Sequence, residues 1–154
     1  MKTEQKVLIV TGGSRGIGAS TSIKAAQMGY SVCVNFEKNF KSANQIVGEI
    51  NSKGGKAIAV QADISSSKDV ERLFKTAELE LGNLGALVNN AGISGPRSQL
   101  IDLDVSEMKH IFEVNLLGYF YCAREAVKRM SRSKGGKGGA IVNISSQAGQ
   151  FGGN

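Results

Sequence analysis

The sequence predicts an α/β domain whose centre is a doubly wound parallel sheet. Short apolar runs alternate with segments of helical periodicity along all 154 residues, each strand being followed by a helix. The apolar runs contain few polar residues, which is typical of strands that helices cover on both faces. Connections of helical length force parallel crossovers between consecutive strands. We therefore expect one domain over residues 1–154, with five strands and flanking helices.

The individual elements follow from periodicity and capping signals. Strands are predicted over residues 6–10, 31–35, 56–62, 85–88 and 140–145. The first helix is predicted over 16–28, where Gly29 closes it, and the second over 41–52. A third helix is predicted to begin at the capping pattern Ser66-x-x-Asp69, and one long helix is predicted over 105–130. The glycine- and lysine-rich residues 133–139 are expected to form an exposed loop.

Residues 11–18, TGGSRGIG, connect the first strand to the first helix. Such a glycine turn is typical of a phosphate-binding corner, because free N–H groups and the positive end of the helix dipole face the anion. Gly12, Gly16 and Gly18 would supply the tight turn, the close approach to a pyrophosphate and the packing of helix on strand. Their spacing, G-x-x-x-G-x-G, differs from the common G-x-G-x-x-G fingerprint. The alternative is a glycine-rich turn that binds no ligand.

Polar residues follow every predicted strand. The clusters are residues 11–18, 35–38, 63–64, 89–92 and 145–146. Because the carboxyl ends of parallel strands meet at one edge of a sheet, these clusters are expected to lie together, where ligands of such sheets bind. Because polar clusters recur after all five strands, a glycine turn that binds no ligand is the less favoured interpretation.

Composition narrows the classes of partner. The net charge of +6 is spread along the chain apart from residues 128–137, so it favours a phosphorylated small molecule as readily as nucleic acid, and we expect no nucleic-acid partner. One histidine excludes a multi-histidine metal site, and Cys33 and Cys122 lack paired-ligand spacing. We expect both cysteines to be buried free thiols rather than a disulfide. With no signal peptide and no membrane-spanning run, we expect a cytoplasmic protein without a membrane partner.

Several motifs together resemble the short-chain dehydrogenase/reductase family, in the same order and spacing over the whole chain. They are Thr11-Gly12-x-x-x-Gly16-x-Gly18, Asp63 after strand three, Asn89-Asn90-Ala91-Gly92, Asn115 in the long helix, and 141–146, IVNISS. Within the family, the chain looks most like bacterial glucose-dehydrogenase and ketoacyl-reductase-like oxidoreductases. The resemblance implies a Rossmann-type fold, a nicotinamide cofactor, hydride transfer to or from a small-molecule carbonyl or alcohol, and usually a homotetramer.

The predicted cofactor-binding residues come from the first four polar clusters: Gly12, Ser14, Arg15, Gly16, Ile17, Gly18, Asn35, Asp63, Ile64, Asn90, Ala91 and Gly92. The resemblance implies that the Asp63 carboxylate accepts a hydrogen bond from the adenine amino group. Its alternative role is a cap for the turn before Ser66. For Asn89, we expect a structural role, in which the amide ties neighbouring strands together.

The choice between the two nicotinamide cofactors depends on the end of strand two. NAD-specific sites place an acid there to hold the ribose hydroxyls, whereas this chain has Phe36 at that position. Arg15 could pair with a 2′-phosphate through its fork of donors, and Lys38 could assist. We therefore predict NADP(H) rather than NAD(H). Glu37 is the counter-evidence, because its carboxylate would repel the phosphate if it turned inward.

Asn115 and Ser146 are the predicted catalytic residues. Asn115 shares a helix face with Ile111, Gly118 and Cys122, so we expect a largely buried amide. The resemblance implies that Asn115 bends the helix and holds a water in a proton relay; the alternative is a satisfied core asparagine. It also implies that the Ser146 hydroxyl bonds the substrate oxygen as negative charge develops there. The alternative for Ser146 is a capping or turn serine.

The family's Tyr-x-x-x-Lys pair does not occur in this sequence. The residues four positions after Tyr30, Tyr119 and Tyr121 are valine, alanine and glutamate. The resemblance places the pair a little over a dozen residues beyond the serine, so we expect the chain to be the amino-terminal part of a longer reductase and inactive alone. The alternative is a truncated, non-catalytic nucleotide-binding module. The substrate itself is not predictable, because the residues that shape that pocket lie mostly further on.

Overall fold

The computed structural model describes residues 6–152, which form a five-stranded parallel sheet with helices on its faces. The strands are β1 (Val7–Val10), β2 (Ser31–Phe36), β3 (Lys56–Gln61), β4 (Leu84–Asn89) and β5 (Ala140–Asn143). Their order is β3-β2-β1-β4-β5, and all four pairings are parallel. The chain starts at the centre, winds to one edge and then to the other, so the topological switch lies between β1 and β4. The predicted doubly wound fold is confirmed.

Six α-helices connect the strands or follow them within the described residues. They are α1 (Gly16–Gln27), α2 (Phe40–Ser52), α3 (Ser67–Leu81), α4 (Val105–Phe112), α5 (Gly118–Met130) and the short α6 (Ala148–Phe151). The predicted cap forms at α3, where the Ser66 side chain accepts a hydrogen bond from the Asp69 N–H. At α4, the Asp104 side chain accepts one from the Ser106 N–H. These side chains satisfy backbone donors that the first helical turn leaves unpaired.

The core consists of two hydrophobic layers, one on each face of the sheet. Because successive side chains of a strand point to opposite faces, Val7 and Ile9 belong to the layer under α3 and α5, and Leu8 and Val10 belong to the layer under α1 and α2. Every residue of β1, β2 and β4 is buried. This double coverage explains the nearly continuous apolar sequence of the central strands.

The last strand departs from that pattern. β5 pairs with β4 from Ala86↔Ala140 to Asn89↔Asn143, and among residues 6–152 it is an edge of the sheet. All of its residues are exposed except Ile141, which is partly buried. The expectation that helices cover both faces of every strand is therefore wrong for β5, which also ends at Asn143 rather than at residue 145.

The predicted helix over residues 105–130 is not continuous. One π-helical turn, Glu113–Leu117, separates α4 from α5 and contains Asn115. A π-helical turn adds a residue to the local repeat, so the faces of α4 and α5 are rotated relative to one another. The expected local distortion at Asn115 is thus present, but it divides one predicted helix into two.

Both cysteines are buried free thiols, as predicted. Burial raises the pKa of Cys33 to about 12 and that of Cys122, helped by Glu125, also to about 12. Neither thiol is therefore a nucleophile at neutral pH. No helix among the described residues is long and apolar enough to cross a membrane.

Candidate functional site

A cleft of about 630 Å³ opens where the loops after β1, β2, β3 and β4 meet. Its lining includes all of the predicted cofactor-binding residues except Gly18: Gly12, Ser14, Arg15, Gly16, Ile17, Asn35, Asp63, Ile64, Asn90, Ala91 and Gly92. The first four polar clusters therefore lie together at one edge of the sheet, as expected. The volume lies in the range of ligand pockets in general.

The glycine loop packs so closely that side chains would not fit at two of its positions. Gly12 has a φ of +61°, and a Cβ there would stand 2.9 Å from the Ala91 Cα. A Cβ on Gly18 would stand 2.3 Å from the Gly12 carbonyl oxygen and 2.6 Å from Asn90 Nδ2. Gly18 is buried and packs the start of α1 onto the loop, and it does not line the cleft. Glycine at this position therefore lets the start of α1 lie directly against the loop.

The first turn of α1 is open towards an anion. Arg15, at the N-cap, makes no side-chain capping bond, and this turn contains no acidic residue. The Ala19 N–H donates to the Arg15 carbonyl at 3.2 Å, so the N–H groups of residues 16–18 precede that first helical bond. Since Gly16 and Ile17 line the cleft, the positive end of the helix dipole faces it.

Thr11 and Asn90 lock the glycine loop to the loop after β4. The Thr11 hydroxyl oxygen accepts hydrogen bonds from the N–H groups of Asn90 at 2.9 Å and Ala91 at 3.0 Å. In return, the Asn90 amide donates to the carbonyls of Thr11 at 2.9 Å and Gly12 at 3.2 Å. Thr11 begins the family motif, but no role of its own was predicted for it. The signal that could have identified it is its place between a buried strand and Gly12, where a hydroxyl has two loops within reach.

Asn35 is buried and holds three loops together. Its Oδ1 accepts a hydrogen bond from the Gly12 N–H at 3.2 Å, and its Nδ2 donates to the Ala62 carbonyl at 3.0 Å. The Asn35 carbonyl accepts from the Gly13 N–H at 2.8 Å. Because its amide already satisfies backbone groups, Asn35 gives the cleft its shape, and a direct contact with the cofactor remains a prediction.

Asp63 caps a turn and also lines the cleft. Its Oδ1 accepts from the N–H of Ser65 at 2.9 Å and from the Ser65 hydroxyl at 2.7 Å. Its own N–H donates to Asp69 Oδ2 at 3.0 Å, which is the main cause that lowers the pKa of Asp69, with Arg72 contributing less. The capping alternative thus matches the geometry of Oδ1, so any ligand contact falls to Oδ2.

A positively charged corner lies beside the end of β2. Arg15, Glu37 and Lys38 all line the cleft there and are exposed. Lys38 Nζ lies 3.0 Å from Glu37 Oε1, and this hydrogen bond raises the pKa of Lys38. Glu37 is therefore paired with a lysine within the same corner. The cleft is also lined by residues without a predicted role: Asn39, Ala62, Ile93 and Val114.

Asn115 is exposed, which corrects the expectation of a largely buried amide. Its Oδ1 accepts from the Ile93 N–H at 2.9 Å, and its Nδ2 donates to the Ile93 carbonyl at 2.8 Å. The amide is satisfied by the loop after β4, which lies at the surface, rather than by the core. The shared helix face predicted from Ile111 and Gly118 does not bury it, because the π-helical turn shifts the faces at this point.

Ser146 is exposed and follows the end of β5. Its hydroxyl oxygen accepts a hydrogen bond from the Ala148 N–H at 3.2 Å, which is the geometry of the capping alternative. Neither Ser146 nor Asn115 is among the residues that line the 630 Å³ cleft. The structure therefore assembles the predicted cofactor-binding residues in one place and does not bring the two predicted catalytic residues into that lining.

The described residues contain no group of three or more histidine, cysteine, aspartate or glutamate side chains that could hold a metal ion. Polar chemistry at the cleft is instead provided by backbone N–H groups, amides, two carboxylates and two cationic side chains, and the open helix N-terminus suits an anionic organic ligand.

Comparison with known proteins identifies the family. The family model described as short chain dehydrogenase matches residues 6–154. The chain belongs to this family of oxidoreductases, which bind a nicotinamide cofactor.

Individual relatives agree with this assignment. The chain is 44% identical to an uncharacterized oxidoreductase, YgfF, of Escherichia coli over 95% of its own length and 59% of that protein. It is 37% identical to a 3-oxoacyl-[acyl-carrier-protein] reductase of Synechocystis, over 96% of its own length and 58% of that protein. A solved Serratia marcescens short-chain dehydrogenase/reductase mutant superposes with a TM-score of 0.84 at 30% identity, over 94% of this chain and 58% of the other. The chain thus spans rather more than half the length of the relatives it matches.

Proposed function

We propose that the full-length protein is an NADP(H)-dependent oxidoreductase that transfers a hydride between the nicotinamide and a carbonyl or alcohol substrate. The observation that carries the proposal is the glycine loop, whose open helix N-terminus faces a cleft formed by four strand ends. The close packing of this loop requires glycine at positions 12 and 18, because Cβ atoms there would collide with neighbouring atoms of the protein. The helix N-terminus that this loop leads into suits the pyrophosphate of a dinucleotide. When bound, the cofactor supplies or accepts the hydride.

Different residues of the cleft would bind different parts of the cofactor. The N–H groups of residues 16–18 would hold the pyrophosphate, while the small side chains of Ala91 and Gly92 would let the backbone lie against a ribose. Asp63 would accept the adenine amino group through Oδ2. Asn90 acts through the loops that it joins, because its amide is engaged by Thr11 and Gly12.

Preference for NADP(H) over NAD(H) is supported by the charged corner. Arg15 is exposed at the cleft, and no acid occupies the last position of β2, which is Phe36. The acid that follows, Glu37, is paired with Lys38 rather than unpaired. A guanidinium presents a fork of donors that suits a phosphate. A 2′-phosphate would therefore meet the Arg15 guanidinium beside a Lys38–Glu37 ion pair.

Ser146 and Asn115 would serve the transfer itself. The Ser146 hydroxyl would donate to the substrate oxygen as it gains negative charge, and Asn115 would hold a water of the proton relay. The general acid/base would be a Tyr-x-x-x-Lys pair, which residues 1–154 do not contain. We propose that this pair lies further along the reading frame.

One observation favours a second candidate, a nucleotide-binding module without catalysis. The two predicted catalytic residues lie outside the cleft lining, and Ser146 acts as a cap. Sequencing beyond Asn154 separates the candidates: a downstream Tyr-x-x-x-Lys supports the enzyme, and its absence supports the module.

The proposed setting is cytoplasmic, with a small-molecule substrate as partner and a homotetramer as the assembled form. Self-assembly is supported by exposed large apolar side chains on α4 and α5, which include Phe112, Phe120 and Val127.

Calorimetric titration of the full-length protein tests the cofactor assignment. Arg15→Ala should weaken NADPH binding by about 1.5–3 kcal/mol, the range for hydrogen bonds to charged groups, and should leave NADH binding nearly unchanged. Lys24→Ala is the matched control, because it removes a positive charge from the far end of the same helix, outside the cleft lining. Equal losses for both cofactors would refute the proposed role of Arg15.

A further inference from the structure

Tyr119 connects the helix that follows Asn115 to the strand that leads to Ser146. It lies in the first turn of α5, directly after the π-helical turn, and its ring packs against the core under α3 and α5. Its hydroxyl donates a hydrogen bond to the Ile144 carbonyl at 3.3 Å. Burial raises the pKa of Tyr119, so the hydroxyl stays protonated and able to donate at neutral pH.

The backbone of Tyr119 makes a second connection between α5 and the strands β4 and β5. Its carbonyl accepts a hydrogen bond from Asn89 Nδ2 at 3.2 Å, and the same Nδ2 donates to Asn143 Oδ1 at 2.9 Å. Asn89 is fully buried, whereas Asn143 is exposed, so the junction is partly shielded from water. The structural role expected for Asn89 is therefore to join β4, β5 and α5 at one point.

Ile144 is held by both of its backbone polar groups. Its N–H donates to the Asn89 carbonyl at 2.8 Å, and its carbonyl accepts from Tyr119. Beyond it, Ser146 is exposed, and its hydroxyl and carbonyl oxygens accept from the N–H groups of Ala148 and Gly149, within its own segment. The anchored backbone of Ile144, two residues before Ser146, is thus the point from which the Ser146 segment extends.

We propose that Tyr119 is a positioning residue whose hydroxyl fixes the Ile144 carbonyl and thereby places Ser146 relative to Asn115. The consequence for turnover rests on the proposed function, whereas the anchoring of Ile144 does not. Phenylalanine would fill the same space and keep the packing of the ring, so the hydroxyl is the part that acts.

The test compares Tyr119→Phe with Tyr121→Phe in the full-length protein. Tyr121 is the matched control, because it is also a partly buried tyrosine of α5 that packs against the same core. Tyr119→Phe should speed amide hydrogen exchange at Ile144 and Ser145 about three- to tenfold, the range for one lost neutral hydrogen bond, with exchange in β1 unchanged. Unchanged exchange at Ile144, or an equal increase in Tyr121→Phe, would overturn the anchoring.

Kinetics of the same variants test the positioning role. Tyr119→Phe should lower kcat about three- to tenfold and leave the KM for NADPH unchanged, because the variant shifts Ser146 and leaves the cofactor cleft intact. Faster exchange at Ile144 with an unaltered kcat would overturn the positioning role. A wild-type protein without reductase activity would refute the proposed function, while the exchange comparison would still decide whether Tyr119 anchors Ile144.

Discussion

At the scale of single residues, the cleft is built by uncharged side chains that join loops. Thr11, Asn35 and Asn90 contribute no charge, yet each bonds backbone groups of at least one other loop. Because the donors and acceptors involved are largely removed from water, losing any one of them leaves a costly unpaired group. The cofactor would thus bind to a surface whose shape is fixed before binding.

Thr11→Val tests this view. Valine has the same shape but no acceptor, so the N–H groups of Asn90 and Ala91 would lose their partner. We expect the free energy of unfolding of the full-length protein to fall by about 1–3 kcal/mol in urea titration, together with weaker NADPH binding. Thr76→Val, at a partly buried position of α3, should change neither quantity. A stable Thr11→Val with normal NADPH affinity would contradict the proposed lock.

Ser146→Ala separates the catalytic interpretation from the capping one. Loss of a donor at a developing oxyanion should lower kcat by at least about a hundredfold with NADPH affinity nearly unchanged. Ser145→Ala, one residue earlier on the same exposed segment, is the control and should retain turnover. Full turnover of Ser146→Ala would mean that this serine only caps the turn at Ala148.

Asn115→Ala is the companion experiment. It should also reduce turnover in the full-length protein with little effect on cofactor affinity, because Asn115 does not line the cleft. Steady-state kinetics and calorimetry on one preparation measure both quantities. Unaltered turnover would show that the amide serves only to hold the Ile93 backbone.

At the scale of elements, α3 and α5 are joined by a largely buried ion-pair network. Arg129 Nε donates to Glu78 Oε2 at 2.7 Å, and its Nη1 donates to Glu125, which also pairs with Lys128. The Arg129 guanidinium lies 5.4 Å from the centre of the Phe74 ring. Burial alone would raise the pKa of Glu125, but hydrogen bonds from Lys128 and Arg129 outweigh it, so this pKa is lowered.

The lowered pKa of Glu125 predicts an acid-dependent stability. A depressed carboxyl pKa contributes stability that is complete above its ordinary value of 4.5 and is lost as the pH falls through the lower value of the folded state. Glu125→Gln should therefore lower the unfolding free energy at pH 7 by about 1.5–3 kcal/mol and flatten its decline below pH 4.5. Glu71→Gln, an exposed control on α3, should leave the pH profile unaltered. A steep profile in Glu125→Gln would contradict this account.

The elements themselves were largely predictable, because α2, α3 and α4 have apolar periodicity and a capping residue in the sequence. The division between α4 and α5 was not predictable. Helical periodicity continues on both sides of Glu113–Leu117, and the added residue of a π-helical turn is favoured by the contact of Asn115 with Ile93, which lies 22 positions earlier in the chain. The exposure of β5 was missed for the same reason: the apolar run shows that a strand forms, not what covers it.

At the scale of the whole molecule, the order of strands and helices was enough to predict the topology, because parallel crossovers leave few alternatives. The cofactor cleft followed from that topology, since the polar clusters after β1 to β4 meet at the switch point. Ser146 and Asn115 could not be placed by the same argument. The position of Asn115 depends on its contact with Ile93, 22 positions earlier in the chain. Ser146 follows the end of an exposed edge strand, and its hydroxyl caps a local turn at Ala148.

Residues 1–154 expressed alone should show no NADPH-dependent reduction of ketones or aldehydes. A positioned acid or base contributes about 10²–10⁴-fold, and the family's Tyr-x-x-x-Lys pair is not in this sequence. The exposed apolar edge at β5 should also make these residues self-associate, which light scattering on the assayed sample measures. Clear turnover from a monodisperse monomer would contradict both expectations.

The central claim is that the cleft beside the glycine loop binds NADP(H), and a crystal structure of the full-length protein with NADP⁺ tests it most directly. We expect the pyrophosphate against the N–H groups of residues 16–18, the 2′-phosphate beside Arg15 and the adenine beside Asp63, all within the present cleft. A nucleotide bound elsewhere, or a glycine loop without nucleotide at saturating NADP⁺, would contradict the account.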